Sequence, residues 1–495
     1  MNARDLLGTL LDAGTFRSWD GELDGEPADV RPGPAYAADL VRARKATGLD
    51  ESVLTGEGLV AGRPIAVAAS EFGFLGGSIG VAAGERLTAA AERALRDRLP
   101  FLVLPSSGGT RMQEGTIAFL QMVKITAAVT ALKAAGLPYL VYLRHPTTGG
   151  VFASWASLGH VTLAEPGALI GFLGPRVYEA LEGRRFPSDV QVAENLHAHG
   201  LVDAVVPVAG LRPYLGRVLT ALAPGESTES TPPEPAPAPE PTPAPEPEPT
   251  PGSPGQANAQ TPAWDSVLRT RAAGRPGAAD LIRAAATDVV TLRDRALILA
   301  LARIGGRPCV LVGQDRAVAQ DTRALRQARR GMRLAAELRI PLVTIIDTPG
   351  AELSAAAEED GIAGEIAECI ATMLGLTVPT VAVLLGQGTG GGALALLPAD
   401  RIIAARHAWL APLAPEGASA IVYKDVTHAA DLAARQGVLA SALATAGAVD
   451  QVVPEDGDFP RGLGRSLRAE LASLTSLDDD TRVARRLRRY RDLGR

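Results

Sequence analysis

The chain has 495 residues, 49 of them basic and 55 acidic, for a net charge of −6 at pH 7. That length holds two or three domains with full cores, and the acidic balance excludes the strongly basic surface that nucleic-acid binding uses. Two cysteines, Cys309 and Cys369, both in apolar segments, exclude a four-cysteine zinc ribbon and read as small buried residues.

The first residues, Met1-Asn-Ala-Arg-Asp-Leu-Leu-Gly8, lack the apolar core of a signal peptide. No apolar run is read as reaching the roughly 18 residues that span a bilayer. The expectation is a soluble cytoplasmic protein. Residues 1–50 read as short helical pieces around an acidic Gly/Pro stretch at 21–34, with a helix at 36–45. Residues 53–70 read as strands around the turn Ala61-Gly62-Arg63-Pro64. Residues 71–80 form an unusually apolar Gly-rich loop, and 84–99 an amphipathic helix with Glu92, Arg93, Arg96 and Asp97 outward.

A strand at 101–104 and a helix at 116–132 flank Pro105-Ser-Ser-Gly-Gly-Thr-Arg-Met-Gln-Glu114. Ser106 or Ser107 can cap this turn, and Gly108 and Gly109 remove side chains that would crowd it. N–H groups at a helix start have no partner inside the helix, and the dipole adds positive charge there. Such a place suits an oxyanion, for example a thioester enolate. It is also an ordinary turn before a packed helix. The strand 139–143 runs into His145-Pro-Thr-Thr-Gly-Gly150 and a helical stretch at 151–158. Short strands follow at 161–163 and 168–172, then a helix or two at 186–199.

Residues 224–262 are mostly Pro, Glu, Ala and Thr and cannot bury enough apolar surface to order themselves. They read as a semi-rigid tether rising about 3.1 Å per residue where Pro-rich. Beyond it, 265–294 read as helical and Arg-rich, 309–312 as a strand and 324–338 as a helix. A strand at 342–346 ends in Asp347-Thr-Pro-Gly350, and 358–374 read as a helix. A strand at 380–385 enters Gly386-Gln-Gly-Thr-Gly-Gly-Gly392, followed by an apolar helix at 393–397. Strands alternating with helices argue for an α/β fold.

The layout occurs twice. Pro100 and Pro341 precede matching strands, as do Pro138 and Pro379, and 341 − 100 = 379 − 138 = 241. Gly149-Gly150 matches Gly390-Gly391 at the same offset. The halves close on Gly200-Leu-Val-Asp-Ala-Val-Val-Pro207 and Gly447-Ala-Val-Asp-Gln-Val-Val-Pro454. A constant offset over such a span argues for two copies of one domain, with a period far too long for a solenoid.

Other motifs weigh less. Gly386-x-Gly388-x-x-Gly391 fits a dinucleotide fingerprint but lies late in its domain. Asp347-Thr-Pro-Gly350 resembles a GTPase motif, yet no Gly-Lys-Ser/Thr phosphate loop exists. His145 and His160 are structural unless they line a pocket, where either could carry a proton.

Phe74-Leu-Gly-Gly-Ser-Ile-Gly80, Ser107-Gly-Gly-Thr-Arg-Met-Gln-Glu114, Pro146-Thr-Thr-Gly-Gly-Val-Phe-Ala-Ser154 and residues 164–177 resemble the carboxyltransferase β subunit of acetyl-CoA carboxylase. Residues 275–288, Asp347-Thr-Pro-Gly-Ala351, Gly390-Gly-Gly-Ala-Leu-Ala395 and Ala414-Pro-Glu-Gly-Ala-Ser-Ala420 resemble the α subunit. The chain therefore resembles a β–α fusion. The resemblance implies two crotonase-like ββα-spiral domains in tandem, at 51–223 and 263–495, with a helical segment at 1–50 and the linker at 224–262.

The resemblance also implies transfer of CO2 from carboxybiotin to acetyl-CoA or a short acyl-CoA, giving malonyl-CoA for fatty-acid biosynthesis. Gly108 and Gly109 would offer N–H groups to the thioester enolate. Gly391, Gly392 and Ala393 would polarise the biotin ureido carbonyl. Gly76, Gly77, Arg111, Gly149, Gly150 and Gly390 would bind substrate. A related malonyl-thioester decarboxylase and a non-catalytic scaffold that binds CoA or the carrier are the other readings. No Met-Lys-Met and no ATP-binding domain are present. A separate biotin carboxyl carrier protein and an ATP-using biotin carboxylase are therefore the expected partners, with a homodimer or larger homo-oligomer. No zinc is expected. The chain departs from the family at His145 and His160, where Asp is usual, and at Gln387-Gly-Thr, where Glu-Gly-Gly-Ser is usual. Glu352-Leu-Ser-Ala-Ala replaces a more Gly/Pro-rich run.

Overall fold

The computed structural model describes residues 1–21, 33–175, 178–179, 183–222, 263–294 and 296–494. The expected linker lies outside them, as does most of the acidic stretch. Two sheets carry the chain. The first runs Arg17–Ser18, Val53–Val60, Arg63–Ser70, Phe101–Leu104, Tyr139–Leu143, Val161–Ala164 and Ala204–Val205, in that spatial order. The second runs Ala286–Asp294, Leu297–Ile304, Arg307–Gln314, Leu342–Thr348, Thr380–Thr389, Arg401–Ala405 and Gln451–Val453. In each, antiparallel strands open the sheet and parallel strands continue it. Two units of hairpin followed by strand–helix crossovers make this a tandem α/β fold, as expected from the repeat.

Local chemistry explains the copies. Each hairpin turns on two residues of positive φ, Ala61 (52°) with Gly62 (76°), and Gly305 (58°) with Gly306 (78°). That geometry matches the right-handed twist of the strands. The parallel strands Tyr139–Leu143 and Leu342–Thr348 are buried at every residue, because helices cover both faces.

Several elements differ from expectation. Residues 265–294 are not one helical stretch: helices Ala263–Thr270 and Ala278–Ala285 precede the strand Ala286–Asp294. The β-branched run Val289-Val290-Thr291 pairs with Leu297–Ile304 in place of continuing a helix. The Gly-rich run at 386–389 is the buried end of the strand Thr380–Thr389, and its helix starts early, at Gly390–Leu394. Residues 151–158 form turns with only a 3₁₀ segment, Trp155–Ser157. The helix expected at 358–374 breaks into Ala355–Glu359 and Ile362–Gly375.

The segment Met112–Ala134 is long and apolar enough to cross a membrane, against expectation, and 78% of its apolar window is buried in the protein. Its helix, Gly115–Ala134, packs on Val81–Arg96 from its own half and on Ile362–Gly375 and Asp479–Asp492 from the other. The C-terminal helix Asp479–Asp492 is pinned at its middle by the Arg486–Asp400 pair (Nε–Oδ1 2.8 Å). Just past its C-terminal end Lys124 donates to the Leu493 carbonyl at 3.1 Å. The two halves thus share one interface.

Candidate active site

The strand Phe101–Leu104 and the strand Tyr139–Leu143 continue their pairing into the turns that follow them. Arg144 N–H donates to Pro105 O (3.0 Å), Ser107 N–H to Pro146 O (2.7 Å) and Thr148 N–H to Ser107 O (2.9 Å). This zipper lays Gly109 on Gly149-Gly150. A Cβ on Gly109 would stand 3.3 Å from Thr148 O and 3.4 Å from both Gly149 Cα and Gly150 N.

The backbone groups of this turn can be followed one by one. Gly108 N–H donates to Gly76 O at 2.9 Å. Gly109 N–H donates to the Ser107 hydroxyl at 3.0 Å. Ile79 brackets Thr110, its N–H donating to Gly109 O and its carbonyl accepting from Arg111 N–H, both at 2.9 Å. Gly149 N–H is directed to Phe172 O at 3.1 Å. The N–H groups of Thr110 and Gly150 have no hydrogen-bond partner among the described residues. The structure therefore moves the open donors by one position. Gly108 and Gly109 shape the turn but have spent their N–H groups, and the open pair is Thr110 with Gly150.

The second half repeats the hydroxyl and bracketing bonds, with Pro349, which has no N–H, in the place of Gly108. Gly350 N–H donates to the Thr348 hydroxyl at 3.1 Å. Gln320 brackets Ala351 through Gly350 O and Glu352 N–H, both at 2.9 Å. The offset 350 − 109 = 241 is the one seen in the sequence, so Ala351 answers to Thr110 and Gly391 to Gly150. Gly391 and Gly392 lie in the first turn of the helix Gly390–Leu394, where N–H groups have no helical acceptor. A Cβ on Gly392 would lie 3.1 Å from Ala351 N. Ala393, fourth in that helix, has its N–H directed by helix geometry to the Thr389 carbonyl, so it is not an open donor. Gly390 supplies the positive φ, 58°, that starts the helix, as Gly149 does at 67° in the first half.

Three further expectations change. Arg111 is buried within the protein and not open at the turn. Its guanidinium, 1% exposed, is enclosed by Glu51, Glu114 and the Ser78 carbonyl, and the paired carboxylates hold its proton more tightly than usual even against burial. Gly76 and Gly77 act as backbone packing: Gly76 O accepts from Gly108, and a Cβ on Gly77 would overlap Ser106 O. The start of the helix Gly115–Ala134 is not an open anion site, because Thr116 N–H donates to Gln436 O of the other half at 3.0 Å. His145 and His160 use Nδ1 to accept the Leu169 and Tyr139 N–H groups, both at 3.1 Å, and burial holds His160 below the usual imidazole range. Neither is poised as a base.

The second pair is underpinned by buried charge. Asp347 Oδ1 accepts the Gln387 N–H at 3.0 Å, and Oδ2 faces Arg316 Nε at 3.1 Å. Gln387, where the resemblance expects Glu, accepts through its amide oxygen from Arg271 (3.1 Å), which also pairs with Glu416. A neutral acceptor suffices there. Burial raises the Asp347 carboxyl to about 6 against the pull of Arg316 and the Gln387 N–H. The carboxylate that grips both is thus present above pH 6 and lost as pH falls through it. Turnover is expected to show an acid limb near pH 6 that Asp347→Asn removes; an identical limb in the variant would assign it elsewhere.

Two small-donor pairs, each walled by glycine, can each polarise one oxygen. Among the described residues no three His, Cys, Asp or Glu side chains gather as a metal set. Residues 35–453 match the carboxyl transferase domain family. The chain is 56% identical, over 99% of its length and 98% of the relative's, to a probable biotin-dependent acyl-coenzyme A carboxylase beta3 subunit of Mycobacterium tuberculosis. It is 40% identical to the acetyl-coenzyme A carboxylase carboxyl transferase subunits beta/alpha of Parafrankia sp., covering 100% of this chain and 86% of that one. The corresponding protein of Salinispora tropica is 40% identical, with 100% and 91% covered. The duplicated donor turns lie inside the matched span, and the chain belongs to the carboxyl transferase domain family, as a carboxyltransferase of the biotin-dependent acyl-CoA carboxylase kind.

Proposed function

We propose that this chain transfers a carboxyl group from carboxybiotin to the α-carbon of acetyl-CoA or another short acyl-CoA, giving malonyl-CoA in the acetyl case. The observation that carries the reading is the equivalence of the two donor pairs. Such a transfer develops negative charge on one thioester oxygen and draws on one ureido oxygen. Thr110 and Gly150 would donate to the thioester oxygen as it becomes an enolate, an interaction stronger in the transition state than in the ground state. One such donor is worth about 3–4 kcal/mol of barrier.

The residues of the second half fit biotin. Ala351 and Gly391 offer N–H groups, and the missing side chain of Gly392 leaves room at Ala351 N. When bound, carboxybiotin supplies the CO2, and the ureido nitrogen freed by that loss would take up the α-proton that the acyl-CoA gives up. The glycine walls set how closely an oxygen can approach, and the Asp347–Gln387 contact fixes the strand that carries them.

The biotin would arrive on a separate carrier protein, charged by a separate ATP-using biotin carboxylase. The relatives' names, which are those of subunits, support this. A cytoplasmic homodimer or larger homo-oligomer belongs to the same reading. The test is the reverse reaction with malonyl-CoA or methylmalonyl-CoA and biocytin. Acetyl-CoA or propionyl-CoA should form, malonyl-CoA being consumed faster. A folded protein that binds CoA but turns over neither contradicts the proposal.

A further inference from the structure

Phe172 stands between the two donor pairs. Its carbonyl accepts the Gly149 N–H at 3.1 Å, next to Gly150 of the first pair. Its ring lies against Gly391 of the second pair, where an added Cβ would be 3.1 Å from Cε2. What holds this residue is a carboxylate from the other half. Glu358, in the helix Ala355–Glu359, accepts the Phe172 N–H at 2.9 Å through each oxygen and the Leu173 N–H at 3.1 Å. Gln191 adds a third donor, its Nε2 lying 2.6 Å from Glu358 and 2.6 Å from the Leu173 carbonyl.

Glu358 is buried and has no ion pair among the described residues; burial raises its carboxyl above the usual range, and the Phe172, Leu173 and Gln191 N–H groups pull against that. Burying a carboxylate is costly unless it is well hydrogen-bonded. Here the backbone bonds come from Phe172 and Leu173, in the loop that touches both sites, and Gln191 ties the carboxylate to the Leu173 carbonyl of the same loop. A surface interaction between halves would need no buried charge.

We propose that Glu358 is a positioning residue for the transfer reaction. Reaching from the second half, it fixes the Phe172 backbone and thereby sets the Gly149-Gly150 turn of the first half in register with the Gly391 turn. The inference rests on the function proposed above. It predicts that the two donor sites of one chain are set together, through Phe172.

Glu358→Gln keeps the size but turns an NH2 toward N–H donors, so the loop loses an acceptor. Small displacements of a reacting geometry cost up to about 100-fold in rate. In the full chain, with malonyl-CoA and biocytin, Glu358→Gln is expected to lower kcat about 10- to 100-fold with KM for malonyl-CoA changed less than about threefold. Gln191→Leu, which removes one donor and leaves the carboxylate, should lower kcat in the same direction by less. It is the second variant should Glu358→Gln fail to fold. A parent protein without turnover fails the function itself. An active parent with either folded variant equal to it in kcat, or losing only KM, overturns the role of Glu358.

Discussion

Valine at Gly109 is expected to lower the malonyl-CoA–biocytin reaction at least about 100-fold, the loss seen when a single oxyanion donor is removed. Gly109 has φ +106°, a conformation closed to β-branched residues, and a Cβ there would sit 3.4 Å from Gly150 N. Valine therefore does two things. It twists the peptide that carries the Thr110 N–H, and it places methyl groups over the Gly150 N–H. Gly350→Val repeats the experiment in the second half, where φ is +129° and the Cβ would meet Thr389 Cγ2 at 3.4 Å. Each variant is checked by kcat and by its far-UV circular dichroism. A folded Gly109→Val enzyme with parental kcat would remove Thr110 and Gly150 from the reaction.

Arg111→Met acts on stability in place of chemistry. The side chains of Arg111, Glu51 and Glu114 are 1%, 4% and 6% exposed. Removing the cation leaves two carboxylates buried side by side, held by the Tyr36 hydroxyl and by the Ser52 and Val81 N–H groups. Breaking a buried pair in this way costs about 3–5 kcal/mol. Urea unfolding should show that loss, and KM for the acyl-CoA should hold in whatever fraction remains folded. A tenfold higher KM at parental stability would restore Arg111 to the substrate.

Much of this was legible in the sequence because the fold is duplicated. Proline-led strands and paired glycines recur at a constant offset, and the offset survives as superimposable hydrogen bonds around Gly109 and Gly350. Gly150 and Gly391 stand among the residues the resemblance implied, whereas Thr110 and Ala351 do not. Glycine marks where the chain must bend, but the open N–H belongs to the next residue, Thr110 or Ala351, whose side chain carries no signal. Applying the same offset to Thr110 would have pointed to Ala351. Arg111 was misread because a motif arginine beside a substrate turn and one buried under it look alike until Glu51, 60 residues earlier, is brought to it. Glu358 gave no signal at all, since its partners are two backbone N–H groups and the Gln191 amide, all in the other half. The strand at Ala286–Asp294 was lost for a different reason: flanking Arg and Ala residues favour helix, and sheet pairing with Leu297–Ile304 overrides them.

The most direct measurement is a crystal structure of the full chain with acetyl-CoA bound. The thioester oxygen is expected within about 3 Å of both Thr110 N and Gly150 N, the ordinary length of an N–H···O hydrogen bond. A thioester oxygen bound to Gly108 N, or held by neither Thr110 nor Gly150, would contradict the assignment of the first donor pair.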